Sequence, residues 1–374
     1  MHATKSDRQR IDSLQALRAF AFLGIFFSHA NFFFSWPALG VSVFFVMSGF
    51  LMTYRYEKVD VLATPKNCFH FSINKIKKLY PLHIITMSCA IVLSIAIIIH
   101  NGLSIKSIIG LLVKVFLNVT LLQTWIPYSS INISLNGVAW YLSVTLFLYF
   151  LFPWIKRIIE RNLLIKLCIT CGIILIVEII ACIPFIYLLG NDSPVYIWFM
   201  YCFPVFRVGD FFIGCVLKRV FFELDFSNIR PIRATVYEVL ATTITVFVFL
   251  WLKQEQSSIV LLALHNWTTI FIPIAAIWVV LFAANKGYLT RILSNKLTIY
   301  IGNISAYAFL IHYVITQYTS HILSYLNIAV DGWCKAFLVF AELVVSILLS
   351  ILYKNVHERF IINRFFEKRK SIRR

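Results

Sequence analysis

Acidic side chains are scarce in this sequence. Sixteen Asp and Glu stand against 34 Lys and Arg in 374 residues, and charged residues of both signs make up only 13%. A soluble domain carries about 25%, so a water-soluble enzyme or binding module is excluded. Also missing is an extracellular cysteine framework. The eight cysteines fall mostly inside apolar stretches, and the Cys168/Cys171 C-x-x-C lies within a helix-length apolar run, where packing explains it better than redox or metal chemistry. No linker, low-complexity tract or obvious internal repeat interrupts the chain.

What is present is apolar: 60% hydrophobic residues, a mean hydropathy of +0.83, and 35 Phe, 17 Tyr and 9 Trp. That much apolar surface excludes disorder. The formal charge of +18 raises the question of nucleic acid, but a chain that sorts its Lys and Arg by loop is reading a bilayer instead. The expected fold class is an all-α integral membrane protein, a bundle of about ten transmembrane helices with cytoplasmic N- and C-termini.

A spanning helix needs about 20 mostly apolar residues. The expected spans are about 13–35, 39–56, 80–100, 138–155, 164–187, 195–217, 236–252, 259–283, 297–320 and 333–353, forming a single domain with no appended soluble domain. The first follows a basic start (Lys5, Arg8, Arg10). Its length, Arg18 and the lack of a small-residue cleavage site mark it as an uncleaved span. An eleventh stretch, 108–125, carries Lys114 in its middle and is read as interfacial or re-entrant. With ten crossings only Lys106, Lys114, Lys253 and Lys335 fall outside, Arg18 and Arg207 lie within the membrane, and every other Lys and Arg is cytoplasmic. Letting 108–125 cross inverts the later loops and destroys that asymmetry. Trp36, Trp125, Trp140, Trp198, Trp251 and Trp333 fall at outer ends, where the indole prefers the headgroup layer.

Ionisable groups inside a bilayer cost about 2.5–3.5 kcal/mol each on insertion scales and are functional candidates by default. Arg18 and His29, eleven residues apart, project from one helix face about 16 Å apart. They suit a binding arm below and a reacting group above; a snorkelling Arg and a His bonded to a neighbouring helix are the plainer alternative. Gly40, Ser48 and Gly49 are read as packing residues. Lys75, Lys77 and Lys78, just before Pro81, suit a phosphorylated ligand or, equally, anionic lipid. Trp140 to Thr145 opens the fourth span. Arg207 and Asp210, at i and i+3, can neutralise one another. His312 lies at mid-depth of the ninth span, within reach of His29. Glu178 and Glu342 are further mid-span acids.

In this order, these segments resemble the bacterial acyltransferase family 3, ten-helix membrane proteins that O-acylate surface glycans and related acceptors. Arg18 to His29 matches the family's Arg/Lys-x10-His signature. Lys75–Pro81 resembles R-x-x-R-I-x-P with lysines in the arginine places, Trp140–Thr145 resembles W-S-L-S-V-E, Arg207–Gly214 resembles R-x-x-E-F-x-x-G, and Gly302–His312 resembles the late serine–tyrosine–histidine element. Thr145 stands where Glu is usual and Asp210 replaces Glu.

The resemblance implies a membrane O-acyltransferase of the inner (cytoplasmic) membrane, moving an acyl group, usually acetyl, from acyl-CoA to a hydroxyl of a surface polysaccharide or lipid-linked glycan. It implies His29 as the catalytic residue, supported by Arg18, with Lys75, Lys78 and Arg207 toward coenzyme A and Trp140, Ser143, Asp210 and His312 as further site candidates. His29 would act as a general base or accept the acyl group covalently. Expected partners are acyl-CoA, the glycan and membrane lipids, with no metal, no permanently bound cofactor and no nucleic acid. The rival readings are a transporter or flippase using Glu178, Asp210, Glu342 and the histidines, and a glycan polymerase. Against them stand the absence of paired Gly/Pro-broken helices and outer loops poor in carboxylates.

Overall fold

The computed structural model describes residues 10–32, 37–59, 63–256 and 258–372. Lys5, Arg8 and Trp36 lie outside the described residues, as do the side chains of the basic tail from 360 onward. Among the described residues the chain forms sixteen α-helices, three short 3-10 turns and no strand: α1 (Ser13–His29), α2 (Pro37–Arg55), α3 (Pro65–Ile76), α4 (Tyr80–His100), α5 (Ile105–Val119), α6 (Ser129–Asn132), α7 (Trp140–Arg161), α8 (Leu164–Leu189), α9 (Pro194–Tyr201), α10 (Val208–Glu223), α11 (Pro231–Trp251), α12 (Ile259–Leu264), α13 (Phe271–Ala284), α14 (Tyr288–Leu293), α15 (Lys296–Tyr325) and α16 (Gly332–Ile372). Seven of them (α2, α4, α7, α8, α11, α15 and α16) are long and apolar enough to cross a membrane. This is a multi-pass membrane protein.

Burial sorts the long helices into a centre and a rim. The apolar window of α2 is 78% buried, whereas those of α4, α8, α11 and α16 are 28%, 17%, 17% and 22% buried. In lipid there is no hydrophobic drive between helices, so close packing by small residues holds the centre. A methyl at Gly49 would meet the Phe211 carbonyl, and one at Gly214 the Val46 carbonyl, so α2 and α10 touch backbone to backbone.

Three features depart from the simple span pattern. The basic segment between Arg55 and Lys78 contains α3, started by Pro65 and capped by the Thr64 hydroxyl, which accepts from the Asn67 N–H at 3.4 Å. The stretches 195–217 and 259–283 are each two helices. Pro204 follows α9, and Asn266 ends the run after α12 by turning its Oδ1 onto the N–H groups of Thr268 (3.0 Å) and Thr269 (3.4 Å). Irregular backbone at membrane depth is tolerated where it lines a cavity, and Cys202 and Trp267 in these breaks do so. Finally, α5 buries only Asn118 of its fifteen residues.

Candidate active site

The site begins where α1 and α15 cross. A side chain at Gly302 would run into the Gln15 carbonyl, so only glycine lets the two backbones approach this closely. Near the same end of α1, the Ser13 hydroxyl donates to the Phe282 carbonyl and Arg10 to the Asn303 side chain. The two helices stay in contact along their length, and at the far end His29 Nδ1 lies 2.9 Å from His312 Nε2. The rings are nearly parallel, 15° apart, with centroids at 5.2 Å.

One further bond fixes the protons of this pair. His312 Nδ1 is 3.1 Å from the Ala308 carbonyl, which can only accept, so Nδ1 carries the hydrogen. In neutral His312 the Nε2 is then the acceptor, and His29 donates to it from Nδ1. His29 Nε2 is left with a free lone pair. His312 is fully buried, with Phe22, Phe26 and Phe309 around its ring at 5.7–5.9 Å, and Tyr313 meets the His29 ring edge-on at 5.1 Å. An imidazole whose tautomer is set by a second group has the geometry that the base takes in a nucleophile–base–orienter arrangement, with a neutral imidazole as orienter.

Two cavities lie near this pair. One, of about 410 Å³, is lined by His29, Trp140, Trp198, Tyr201, Trp267 and Tyr313 among others. The second, of about 110 Å³, is lined by Arg18, Lys75, Ser48, Thr145 and Tyr149 among others. Arg18 and His29 therefore open into different cavities. Phe309 lines both. It packs with Phe44 and Tyr141 in an aromatic layer, with centroids at 6.0 Å from Phe44 and 5.5 Å from Tyr141, and with Phe44 and Tyr141 6.0 Å apart.

Among the described residues Arg18 is in no ion pair. Lys75 donates to the Tyr56 hydroxyl and lies 4.0 Å from the Tyr56 ring centroid, which holds it at the cavity wall. Lys78 is exposed, 5.5 Å over Tyr307, outside that wall.

The remaining candidates lie further off. Arg207 is fully buried, paired with Asp210 at 2.9 Å and 5.1 Å over Phe45, and it lines neither cavity. Ser143 bonds Thr124 at 2.6 Å and the Leu121 carbonyl at 2.5 Å, tying α7 to the segment before it. Glu178 accepts from the Thr269 hydroxyl at 2.9 Å, and Glu342 is buried on α16. Among the described residues no group of three or more His, Cys, Asp and Glu is placed to hold a metal. Tyr141, Phe44, Phe309 and Tyr313 were missed in the sequence: aromatics are so frequent here that none stood out.

Comparison with known proteins places the chain. Residues 11–354 match the acyltransferase domain that defines acyltransferase family 3, and the chain belongs to that family. It is similar to the acyltransferase MdmB of Streptomyces mycarofaciens, 27% identical over 239 residues, covering 56% of this chain and 57% of that protein. It is similar to the O-acetyltransferase OatA of Staphylococcus aureus, 25% identical over 381 aligned positions, covering 94% of this chain and 56% of that protein. The peptidoglycan O-acetyltransferase OatA of Listeria monocytogenes is 24% identical over 340 positions, covering 86% and 51%. The chain thus spans a little over half the length of these relatives. No solved structure matches it.

Proposed function

We propose that the chain is a membrane-bound O-acyltransferase that moves an acyl group, in the first instance acetyl, from cytoplasmic acyl-CoA to a hydroxyl of a cell-surface polysaccharide or lipid-linked glycan. The observation that carries the reading is the His29–His312 pair on one cavity, with the Arg18–Lys75 cavity sharing its Phe309 wall. Family membership and the O-acetyltransferase relatives support the same chemistry.

In this reading ten helices cross the cytoplasmic membrane: the seven long ones together with α1, α10 and α13, of 17, 16 and 14 residues. Both termini are cytoplasmic and α5 lies along the outer surface. The phosphates of coenzyme A rest against Arg18 and Lys75, with Lys78 outside the wall as a weaker contact, and the thioester arm passes the Phe44–Tyr141–Phe309 layer toward His29. His29 Nε2 takes the proton of the acceptor hydroxyl as its oxygen attacks the thioester carbonyl carbon. The C–S bond breaks, the departing thiolate recovers the proton from the imidazolium, and an ester and free coenzyme A result. His312 accepts the Nδ1–H throughout and keeps the ring from turning. Arg207 and Asp210 hold α10 against α2 as a buried pair.

The test is acyl transfer in proteoliposomes carrying labelled acetyl-CoA and a glycan acceptor. His29→Ala is expected to lower the rate by about 10²–10⁴-fold, the usual worth of a positioned base, with normal insertion. Full transfer by a well-folded His29→Ala protein refutes the assignment. A second reading, transport of a glycan or solute, draws support from the breaks between α9 and α10 and between α12 and α13, since paired broken helices are a transporter feature. Movement of label across the bilayer without ester formation would favour it.

A further inference from the structure

Beside the His29 cavity lies a second cleft of about 480 Å³, within the range of about 300–1,000 Å³ typical of ligand sites. We infer that this cleft is a saccharide subsite that holds the glycan flanking the sugar being acylated. The inference rests on the glycan-acceptor reading above and adds to it a second contact region on the same acceptor.

Asp192, Gln254, Glu255 and Gln256 supply planar carboxylates and amides, Lys253 and His265 supply nitrogen donors, and the half-buried Trp267 supplies an indole. Vicinal hydroxyls donate to carboxylates and amide oxygens in pairs, while the C–H face of a pyranose ring packs on indole or phenol. Two carboxylates against the one ammonium of Lys253 leave the wall with a negative balance that disfavours a phosphate or another anion, and an acyl tail would desolvate these charged groups without replacing their hydrogen bonds. A neutral polyhydroxylated chain meets both demands.

Continuity with the reacting centre is the second observation. Trp267 lines this cleft and also the His29 cavity, and its ring lies 5.1 Å from that of Tyr201, another wall of the His29 cavity. Between them stands α9, with Tyr196 on the cleft side and Ile197 and Trp198 on the His29 side. One saccharide chain can therefore lie past Trp267 with one unit near His29 and its neighbour in the cleft. Asp192 and Glu255 are exposed, so replacing them removes ligand contacts without disturbing packing.

The experiment uses the full chain in lipid nanodiscs, without donor, titrated calorimetrically with β-1,4-linked N-acetylglucosamine tetrasaccharide and with the monosaccharide. The wild-type chain is expected to bind the tetrasaccharide about tenfold more tightly. Asp192→Ala with Glu255→Ala, and separately Trp267→Ala, should abolish that preference, and Trp267→Phe should restore most of it by keeping a ring. Equal binding of the two saccharides by the wild type, binding of neither, or an undiminished preference in the variants overturns the subsite. Acyl transfer to the monosaccharide, compared between wild type and His29→Ala in the same preparation, separates the two readings. If it depends on His29 while the chain-length preference is absent, only the subsite falls; if it does not depend on His29, the proposed function falls with it.

Discussion

At His29 the Nδ1 proton goes to His312, so the lone pair that the proposed base catalysis requires is held on Nε2. Replacing His312 by Ala frees the ring to turn and to take the other tautomer. The acyl-transfer kcat is expected to drop by about 10–100-fold, the usual cost of losing a group that orients a functional imidazole, with the donor KM unchanged. His312→Gln, whose amide oxygen can still accept, should recover part of the rate, and steady-state kinetics on the three proteins check both statements. Arg207 and Asp210 behave differently because neither lines a cavity. Asp210→Leu strands a buried guanidinium and should cost about 3–5 kcal/mol, whereas Arg207→Met with Asp210→Leu should recover most of it. Thermal unfolding in detergent reads that difference; a double variant no more stable than the single one would contradict a purely structural pair.

The contact between α1 and α15 carries the histidine pair, and Gly302 carries the contact. Gly302→Leu forces α15 away from the Gln15 carbonyl and should lower transfer at least as far as His312→Ala does, while the protein still elutes as a folded species. α3 and the turn after it present the lysines unequally. Lys75 is in the cavity wall and Lys78 is not, so Lys75→Ala should raise the donor KM by about tenfold, the scale of one lost charge-assisted contact, and Lys78→Ala by clearly less. Equal effects would place the phosphates outside the cavity. The sequence placed Arg18, His29 and His312 on the right helices because intramembrane ionisable groups are rare enough to stand out. It could not show that Arg18 and His29 open into separate cavities, because an aromatic layer made of residues as common here as Phe leaves no compositional mark. Nor did it show α3, whose amphipathic pattern covers only twelve residues within a basic loop.

For the molecule as a whole, the placement of Lys and Arg predicts which loops meet the cytoplasm, and the helix lengths are compatible with that layout without choosing it. Three crossings would rest on α1, α10 and α13, which are short for a bilayer and packed among longer helices. A hydrophobic stretch below about 20 residues is accommodated when neighbours cover its ends or the bilayer thins locally, so the count of ten is a statement about sidedness more than about length. Asp192, before α9, and Asp331, before α16, are exposed and should face outward, whereas Asn228, exposed between α10 and α11, should face the cytoplasm. Cysteines at these three positions, read over the background of the native thiols, distinguish the layouts. A membrane-impermeant maleimide should label Asp192→Cys and Asp331→Cys in intact cells and Asn228→Cys only after permeabilisation. If 108–125 crosses, all three are inverted: Asn228→Cys labels from outside, and the other two need permeabilisation. That outcome would leave α1 as it stands and turn α15 over, and two antiparallel helices could not keep Gln15 against Gly302 at one end and His29 against His312 at the other.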